Sequence, residues 1–384
     1  MSESRSQDPA WSSASPVEDR DALDRLREEI DSVDREILER LNRRATLVGR
    51  VGAIKRASGT GVYRAGRERD LIQALVSENA GPFPSAAVPA VFREIISATY
   101  ALEGELRVAF LGPEGTFSHA AAREGFGAQA TYLPTTTIAD VIEAVVRGEA
   151  EHGIIPVENT TEGPVTQTLD ALVDSEVPII GERVLRITQY LVSKAPSLDE
   201  IEQVASHPQP LAQCRGWLDR MLPGVPRIET ASTAAAAEMA RENPGIAAIG
   251  ARMLADRGDL QVLASNIEDR RDNTTRFLIL GGEPPPPSDA DLTSLAYTVR
   301  RAESGALFRL LEPFAEAGVN LTAIHVRPLK GTPWEYVFFI DLEGHRNDPK
   351  VQRACENAGK LANSYRVLGS FPRARAIRGN EVPT

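Results

Sequence analysis

Apolar residues recur at steps of three and four along the first long segment. Leu23, Ile30, Val33, Ile37, Leu41, Val48 and Val51 fall on one stripe. No proline interrupts residues 22–57, and the pattern stops at Ser58-Gly59-Thr60-Gly61. This period predicts a helix ~50 Å long at ~1.5 Å per residue. Two shorter helices are predicted over 67–79, ending at Gly81-Pro82, and over 85–103, with Ser85 as the N-cap. Helices of such unequal length cannot cover the long stripe within one chain. A dimer with the long helices packed on each other is therefore expected.

From residue 107 short β-rich runs alternate with helical ones. Strands are predicted over 107–111, 153–157, 203–205, 246–249 and 276–280, and helices over 138–147, 210–222 and 233–241. The long β-like stretch 177–192 and the segment before Thr275 are expected to cross between two lobes enclosing a cleft. Four consecutive prolines, Pro284–Pro287, exclude helix and central strand and mark a linker. Residues 292–373 then read β-α-β-β-α-β, the ferredoxin-like order. The expected organisation is a disordered tail (1–21), a helical domain (22–104), a two-lobed α/β domain (106–282), a linker (283–291), a ferredoxin-like α+β domain (292–373) and a short tail (374–384).

At 384 residues, several domains are expected from the usual ~100–200 residues each. A formal net charge of −11 argues against a general nucleic-acid binder but leaves room for a local cationic site. Two cysteines exclude a disulfide scaffold and a cysteine-rich metal site. No apolar run reaches the ~18 residues of a membrane span, and the polar N-terminus lacks a signal-peptide core. A cytoplasmic protein is expected.

Three cations interrupt the apolar stripe: Arg27, Arg44 and Lys55. Buried cations need partners, so carboxylates of the other helices or an anionic ligand must meet them, unless the side chains snorkel to the rim. The string LREEIDSVDREILERLNRRATLVGRVGAIK, followed by RERD, resembles the all-helical chorismate mutase family. The resemblance implies rearrangement of chorismate to prephenate, a reaction needing restraint and fixed positive charge rather than a cofactor. It implies that Arg27, lent to a partner subunit, and Arg44 grip carboxylates. It places Lys55 at the ether oxygen and Glu68 on the substrate hydroxyl, with Thr99 and Glu103 as further contacts. Arg64 stands where some relatives carry an acidic residue. Glu103 can donate to the ether oxygen only when protonated, so an acid-biased mutase is expected.

Four strings of the second region, GPEGTFS, VENTTEG, SHPQPLAQC and NTTRF, flank predicted strands. Singly, each reads equally well as a tight turn, a cap or a packed threonine. Together, in this order, they resemble the prephenate dehydratase family. The resemblance implies loss of CO2 and the ring hydroxyl from prephenate, giving phenylpyruvate. It makes Thr275 the residue that donates to the leaving oxygen. His207 and Glu158 are candidate relays, Arg276 a carboxylate clamp or structural ion-pair partner, and Asn159, Thr160 and Ser206 polar wall residues.

In the third region, Gly305-Ala306-Leu307 opens the first helix and Gly318-Val319-Asn320 leads into the second strand. This resembles the ACT regulatory domain of prephenate dehydratases, which implies phenylalanine as effector, bound by Gly305, Ala306, Leu307, Asn320 and Arg327. The family's Glu-Ser-Arg-Pro is His325-Val326-Arg327-Pro328 here, so weakened feedback is expected. The whole is similar to bifunctional chorismate mutase–prephenate dehydratases, without cofactor or metal, at least dimeric, and with neither nucleic acid nor membrane as partner. Two other readings stay open: a dehydratase whose helical domain only dimerises, and a non-catalytic two-lobed sensor.

Overall fold

The computed structural model describes residues 16–58, 65–256, 258–300, 304–329, 331 and 335–374. Its helical region consists of α1 (Pro16–Ser58), α2 (Ala65–Glu78), α3 (Val88–Ser97) and α4 (Tyr100–Glu103). α1 begins inside the expected tail, at Pro16, where a proline's fixed φ and missing N–H suit a first helical turn. Its 43 residues make it ~65 Å long at ~1.5 Å per residue.

The predicted third helix is two. Thr99 Oγ1 donates back to the Ile96 carbonyl at 2.8 Å, a local bond that competes with the helical ladder and separates α3 from α4. Ser85 caps nothing. It accepts from Asn79 Nδ2 at 2.9 Å, and α3 starts three residues later, with a proline in its first turn.

The two-lobed region follows. The first lobe holds β1 (Arg107–Leu111), α5 (Phe117–Phe126), β2 (Thr131–Thr135), α6 (Ile138–Val146), β3 (His152–Asn159), β4 (Gly163–Pro164), α7 (Thr166–Asp174) and β5 (Ile179–Arg186). The second holds β6 (Tyr190–Ser193), β7 (Gln203–Ser206), α8 (Pro208–Gln213), α9 (Arg215–Met221), β8 (Arg227–Glu229), α10 (Thr233–Glu242), β9 (Ile246–Gly250) and β10 (Gln261–Ser265). The chain then returns to the first lobe as β11 (Thr274–Leu280). The expected 177–192 stretch is thus β5 and β6 in different sheets, and both expected crossings are present.

Main-path strand orders are β2-β1-β3-β11-β5 and β10-β6-β9-β7-β8. In the first sheet β1, β2 and β3 are parallel, while β11 runs antiparallel to β3 and β5. In the second, β7, β8 and β9 are parallel. The carboxyl ends of both parallel sets therefore lie at the crossovers, as in periplasmic-binding-protein-like folds, where ligands sit between the lobes. The crossovers are tied together: the Gln189 N–H donates to Glu268 Oε2 at 2.9 Å, and the Ile267 N–H to the Gln189 carbonyl at 3.2 Å. The predicted helix over 210–222 breaks at Cys214. Asp269, from the second crossover, caps α9 by accepting the Gly216 and Trp217 N–H groups at 2.7 and 3.0 Å.

The C-terminal domain comprises β12 (Asp291–Arg300), α11 (Ala306–Glu316), β13 (Leu321–Pro328), β14 (Glu335–Glu343), α12 (Pro349–Gly359) and β15 (Ser364–Pro372). Its antiparallel order β13-β14-β12-β15 is the expected ferredoxin-like sheet. One face packs on α11 and α12 through Leu310, Phe314, Val351 and Ala354. The other packs on the first lobe, where Leu292, Ala296, Val337, Phe339 and Phe371 share a core with Ile155, Leu169, Ile179 and Leu278. At Gly369 an added Cβ would lie 2.0 Å from the Ile179 carbonyl oxygen, so only glycine lets the two backbones approach this closely.

Candidate active sites

In the two-lobed region Asn159 is the hub. It ends β3 and pairs in register with Thr275 on β11. Its Oδ1 accepts the Thr161 and Glu162 N–H groups at 2.9 and 3.1 Å, which fixes the loop after β3. Those bonds also fix the amide's orientation, because the other end must then be the NH2. Nδ2 donates to Asn273 Oδ1 and to Thr275 Oγ1, each at 2.9 Å. Thr275 is buried. Its hydroxyl accepts from Asn159, and no group among the described residues takes its proton. The hydroxyl is thus oriented with its own O–H left to donate. Asn273 is the residue the sequence reading passed over. It stands in the quoted string NTTRF, where nothing local marks it as a partner of Asn159.

Other expected members of this site lie elsewhere. Thr160 is exposed and closes the loop onto the start of β11, its Oγ1 donating to the Asp272 carbonyl and accepting the Thr274 N–H. Glu158 pairs in register with Arg276, so alternation along β3 turns it to the face opposite Asn159. Ser206 is fully buried in the second lobe and donates to the Ile249 carbonyl at 2.7 Å, holding β7 to β9 rather than lining a wall. His207 caps α8, its Nδ1 accepting the Gln209 N–H at 3.4 Å. Among the described residues no bond links His207 or Glu158 to Thr275.

Arg276 is not an open clamp. It donates to Glu182 Oε2 at 2.6 Å and to Asp341 Oδ2 at 2.5 Å, the latter on β14 of the C-terminal domain. Burial opposes its charge, but Asp341 and Glu182 raise its pKa above the usual arginine value. This is the ion-pair alternative, with both partners invisible in the local sequence.

The GPEGTFS turn works as a cap and an interlobe contact. Thr116 caps α5, and the Gly115 N–H is already given to His119 Nδ1 at 3.2 Å. Gly115 has φ +87°, and a Cβ there would lie 2.6 Å from Leu254 of the second lobe. Both cysteines are buried, and burial pushes their thiols up, Cys355 to about 11, so neither is an activated nucleophile.

In the helical region Arg44 is half-buried and donates to Thr99 Oγ1 at 3.0 Å. The helix break at Thr99 thus presents its hydroxyl to the stripe cation. Glu68 accepts from the Tyr100 hydroxyl at 3.1 Å. Burial raises its pKa, against the opposing pull of Arg183, the Tyr100 bond and Arg93. Tyr100 and Arg183 carried no sequence signal. Arg27 stands apart from this group, exposed and paired with Asp24 one turn away at 3.0 Å. Lys55 lies on α1 and Glu103 on α4, but their side chains are outside the described residues, as is all of Arg64.

In the C-terminal domain Gly305 takes the left-handed conformation, φ +78°, as the N-cap of α11. Leu307 is exposed. Asn320 is exposed beyond the far end of α11, whose 11 residues span ~16 Å at ~1.5 Å each, so one chain does not bring it to Gly305–Leu307. Arg327 points to the two-lobed region instead, paired through two bonds with Asp170 of α7 at 2.9 and 3.1 Å. No group of three or more His, Cys, Asp or Glu side chains suited to a metal occurs among the described residues, and no described helix is long and apolar enough to cross a membrane.

Comparison with known proteins bears on all three regions. The chain matches the chorismate mutase type II family over residues 26–104, the prephenate dehydratase family over 108–285 and the ACT domain family over 298–358. A bifunctional chorismate mutase/prephenate dehydratase of Aquifex aeolicus is 44% identical over 356 residues, covering 92% of this chain and 98% of the relative. The bifunctional enzyme of Escherichia coli is 32% identical over 375 residues, covering 92% and 96%. Among solved structures, the prephenate dehydratase of Arthrobacter aurescens in complex with L-Phe superposes with a TM-score of 0.65 at 38% identity, covering 70% of this chain and 90% of that one. GqqA, described as a novel type of quorum quenching acylase, superposes with a TM-score of 0.64 at 32% identity, covering 70% and 98%. Matched over nine-tenths of its length and in all three of its regions, the chain belongs to the bifunctional chorismate mutase/prephenate dehydratase family.

Proposed function

We propose that this chain converts chorismate to prephenate in its helical region and prephenate to phenylpyruvate in its two-lobed region, as a cytoplasmic homodimer regulated by phenylalanine. The observation that carries the reading is the Asn159–Thr275 pair, in which the amide orients the threonine hydroxyl and leaves its proton available.

In the second reaction the carbon–carbon bond to the ring carboxylate breaks, its electron pair completes the aromatic ring, and the ring C–O bond breaks. The departing hydroxide takes the Thr275 proton and leaves as water. The threonine alkoxide must be reprotonated from solvent, since a free threonine hydroxyl is a poor acid. Asn159 stabilises the oxygen as charge develops, the preorganised-donor effect. The ring carboxylate needs only weak binding, because tight binding would oppose its loss as CO2.

In the first reaction Arg44 and a partner subunit's Arg27 grip the two carboxylates, Lys55 and protonated Glu103 face the ether oxygen, and Glu68 takes the hydroxyl. The exposed position of Arg27 supports its use by a second copy, as does the exposed stripe beside it. Gly305, Ala306, Leu307 and a second copy's Asn320 are proposed to hold phenylalanine.

Purified protein given chorismate should accumulate phenylpyruvate, and given prephenate alone should do so without a lag. Prephenate formation without phenylpyruvate would remove the second assignment, and conversion of prephenate but not chorismate would remove the first.

A further inference from the structure

Strand β11 presents successive residues to opposite faces. Thr275 lies on the side of Asn159, and Arg276 lies on the side of the ACT domain. The Arg276 guanidinium bridges Glu182 of β5 and Asp341 of β14, with side chains only 16%, 4% and 14% exposed. The remaining carboxylate oxygens are also used: Asp341 Oδ1 accepts from Ser294 at 2.5 Å, and Glu182 Oε1 from the Ala374 N–H at 2.7 Å. Arg276 Nη2 is buried with no partner among the described residues, so those two carboxylates alone hold the group. A pocket of about 20 Å³ beside it is lined by Arg276, Asp341, Ser294, Phe339 and His325.

A second connection runs through α7. Arg327 holds Asp170, and Arg366 donates to the Leu172 and Val173 carbonyls in the last turn of that helix. The other end of α7 follows β4, which leaves the loop that Asn159 fixes and pairs back on Glu158 and Asn159, and the Val165 N–H before α7 bonds to the Val157 carbonyl. One connection from the ACT sheet thus reaches the neighbour of Thr275 on β11, and the other reaches, through α7 and β4, the strand that carries Asn159.

We propose that the Glu182–Arg276–Asp341 bridge carries the state of the ACT sheet to Thr275, with Arg276 as a positioning residue rather than a substrate clamp. The inference rests on the assignment of Thr275 and of phenylalanine made above. Charge-assisted bonds of about 2.5–2.6 Å do not survive an ångström of sliding, so a moving β14 draws Arg276 with it or strands a buried charge. Rotating Arg276 turns the start of β11 and spoils the angle at which Thr275 meets its leaving oxygen. Couplings between sites in proteins typically span roughly 5–150-fold.

The test uses the full chain with Asp341→Asn, which keeps shape and can keep the Ser294 contact, Asp341→Glu, which keeps charge, and Arg276→Lys. For Asp341→Asn the expected result is a dehydratase kcat about tenfold lower, KM for prephenate within about twofold and mutase rate unchanged. Phenylalanine should still give a heat of binding, while its inhibition weakens at least about fivefold. Asp341→Glu should recover most of both effects. Unchanged kcat and inhibition in Asp341→Asn would overturn the proposal, as would Asp341→Glu behaving no better than Asp341→Asn. A raised KM with normal kcat in Arg276→Lys would make Arg276 a clamp after all, and phenylalanine binding to the native chain without inhibiting it would leave nothing for the bridge to carry. Should Asp341→Asn lose mutase activity as well, the Asp341→Glu and Arg276→Lys results decide. Failure of the native chain to convert prephenate would refute the underlying assignment, a result distinct from every one of these.

Discussion

The helical region and the dehydratase–ACT block dispose of their apolar surface in opposite ways. In the block, apolar residues of two domains merge into one core, with Ile155, Leu278 and Phe371 at 3% exposure or less. Along α1 the apolar stripe stays open, with Ile30 at 59% and Ile37 at 51%. Each such side chain stabilises by ~1.5–3 kcal/mol when buried, so a long helix does not keep a row of them in water without a partner surface. The sites follow the same division. Asn159, Asn273 and Thr275 close a hydrogen-bonded set within one chain, whereas Arg27 is exposed and paired with Asp24, 17 positions along α1 from Arg44. On the proposed function, the first set is complete in a single chain and the second is expected to draw on another copy.

This contrast can be broken most sharply at Thr275. Thr275→Val should lower phenylpyruvate formation by ~10²–10³, the cost of one positioned donor, with chorismate turnover retained. Near-normal phenylpyruvate formation by the variant would refute its role. Next in size is the stripe. Ile30→Glu together with Ile37→Glu should yield monomers by sedimentation and a mutase slower by roughly 10², as misplaced groups typically cost. Dehydratase activity should stay within about twofold, so a matching loss there would mean the two regions are not independent. Asn159→Ala removes one donor to Thr275 and the anchor of the following loop. A roughly tenfold lower dehydratase kcat is expected, the upper end for one neutral hydrogen bond.

The smallest effect concerns Glu68. Its folded pKa is raised, chiefly by burial, above the unfolded value of ~4.3. The native state therefore holds this proton more tightly than the unfolded chain. The resulting stability is full below the unfolded value and is lost as pH rises through the folded one. Glu68→Gln should remove that loss. The Tm of the helical region in the variant should gain on the parent by a few degrees as pH rises above ~4.3, and parallel curves would show that the carboxyl titrates normally.

Much of this was legible in the residues. Period 3.6 announced α1, and alternation with breakers announced both lobes and the ferredoxin-like order. The motif strings located Asn159 and Thr275, because those residues act on neighbours two strands share. What stayed hidden is what distance in sequence hides. Arg276 reads equally as a clamp or as an ion-pair partner until Asp341, 65 positions away, takes its guanidinium. Arg327 reads as an effector ligand until Asp170 does the same from 157 positions away. Ser206 reads as a wall residue until its hydroxyl is found holding a strand. The break before α4 was missed because it depends on one threonine bonding to its own backbone.

The polyproline linker invites cutting the chain at residues 283–291, yet the shared core says that this is a boundary of sequence and not of folding. His345, buried in the ACT domain, reaches the Pro285 carbonyl at 3.3 Å, so the linker is held to the body at that point. Released ACT domain would expose Phe339, Leu368 and Phe371, and the remaining dehydratase would expose Ile179 and Leu280. The melting unit is then the whole stretch from Arg107 to Pro372. Calorimetry should record it as one cooperative transition, with no separate melting of the ACT domain. A substitution in the shared core on either side of the linker is therefore felt as stability by both domains.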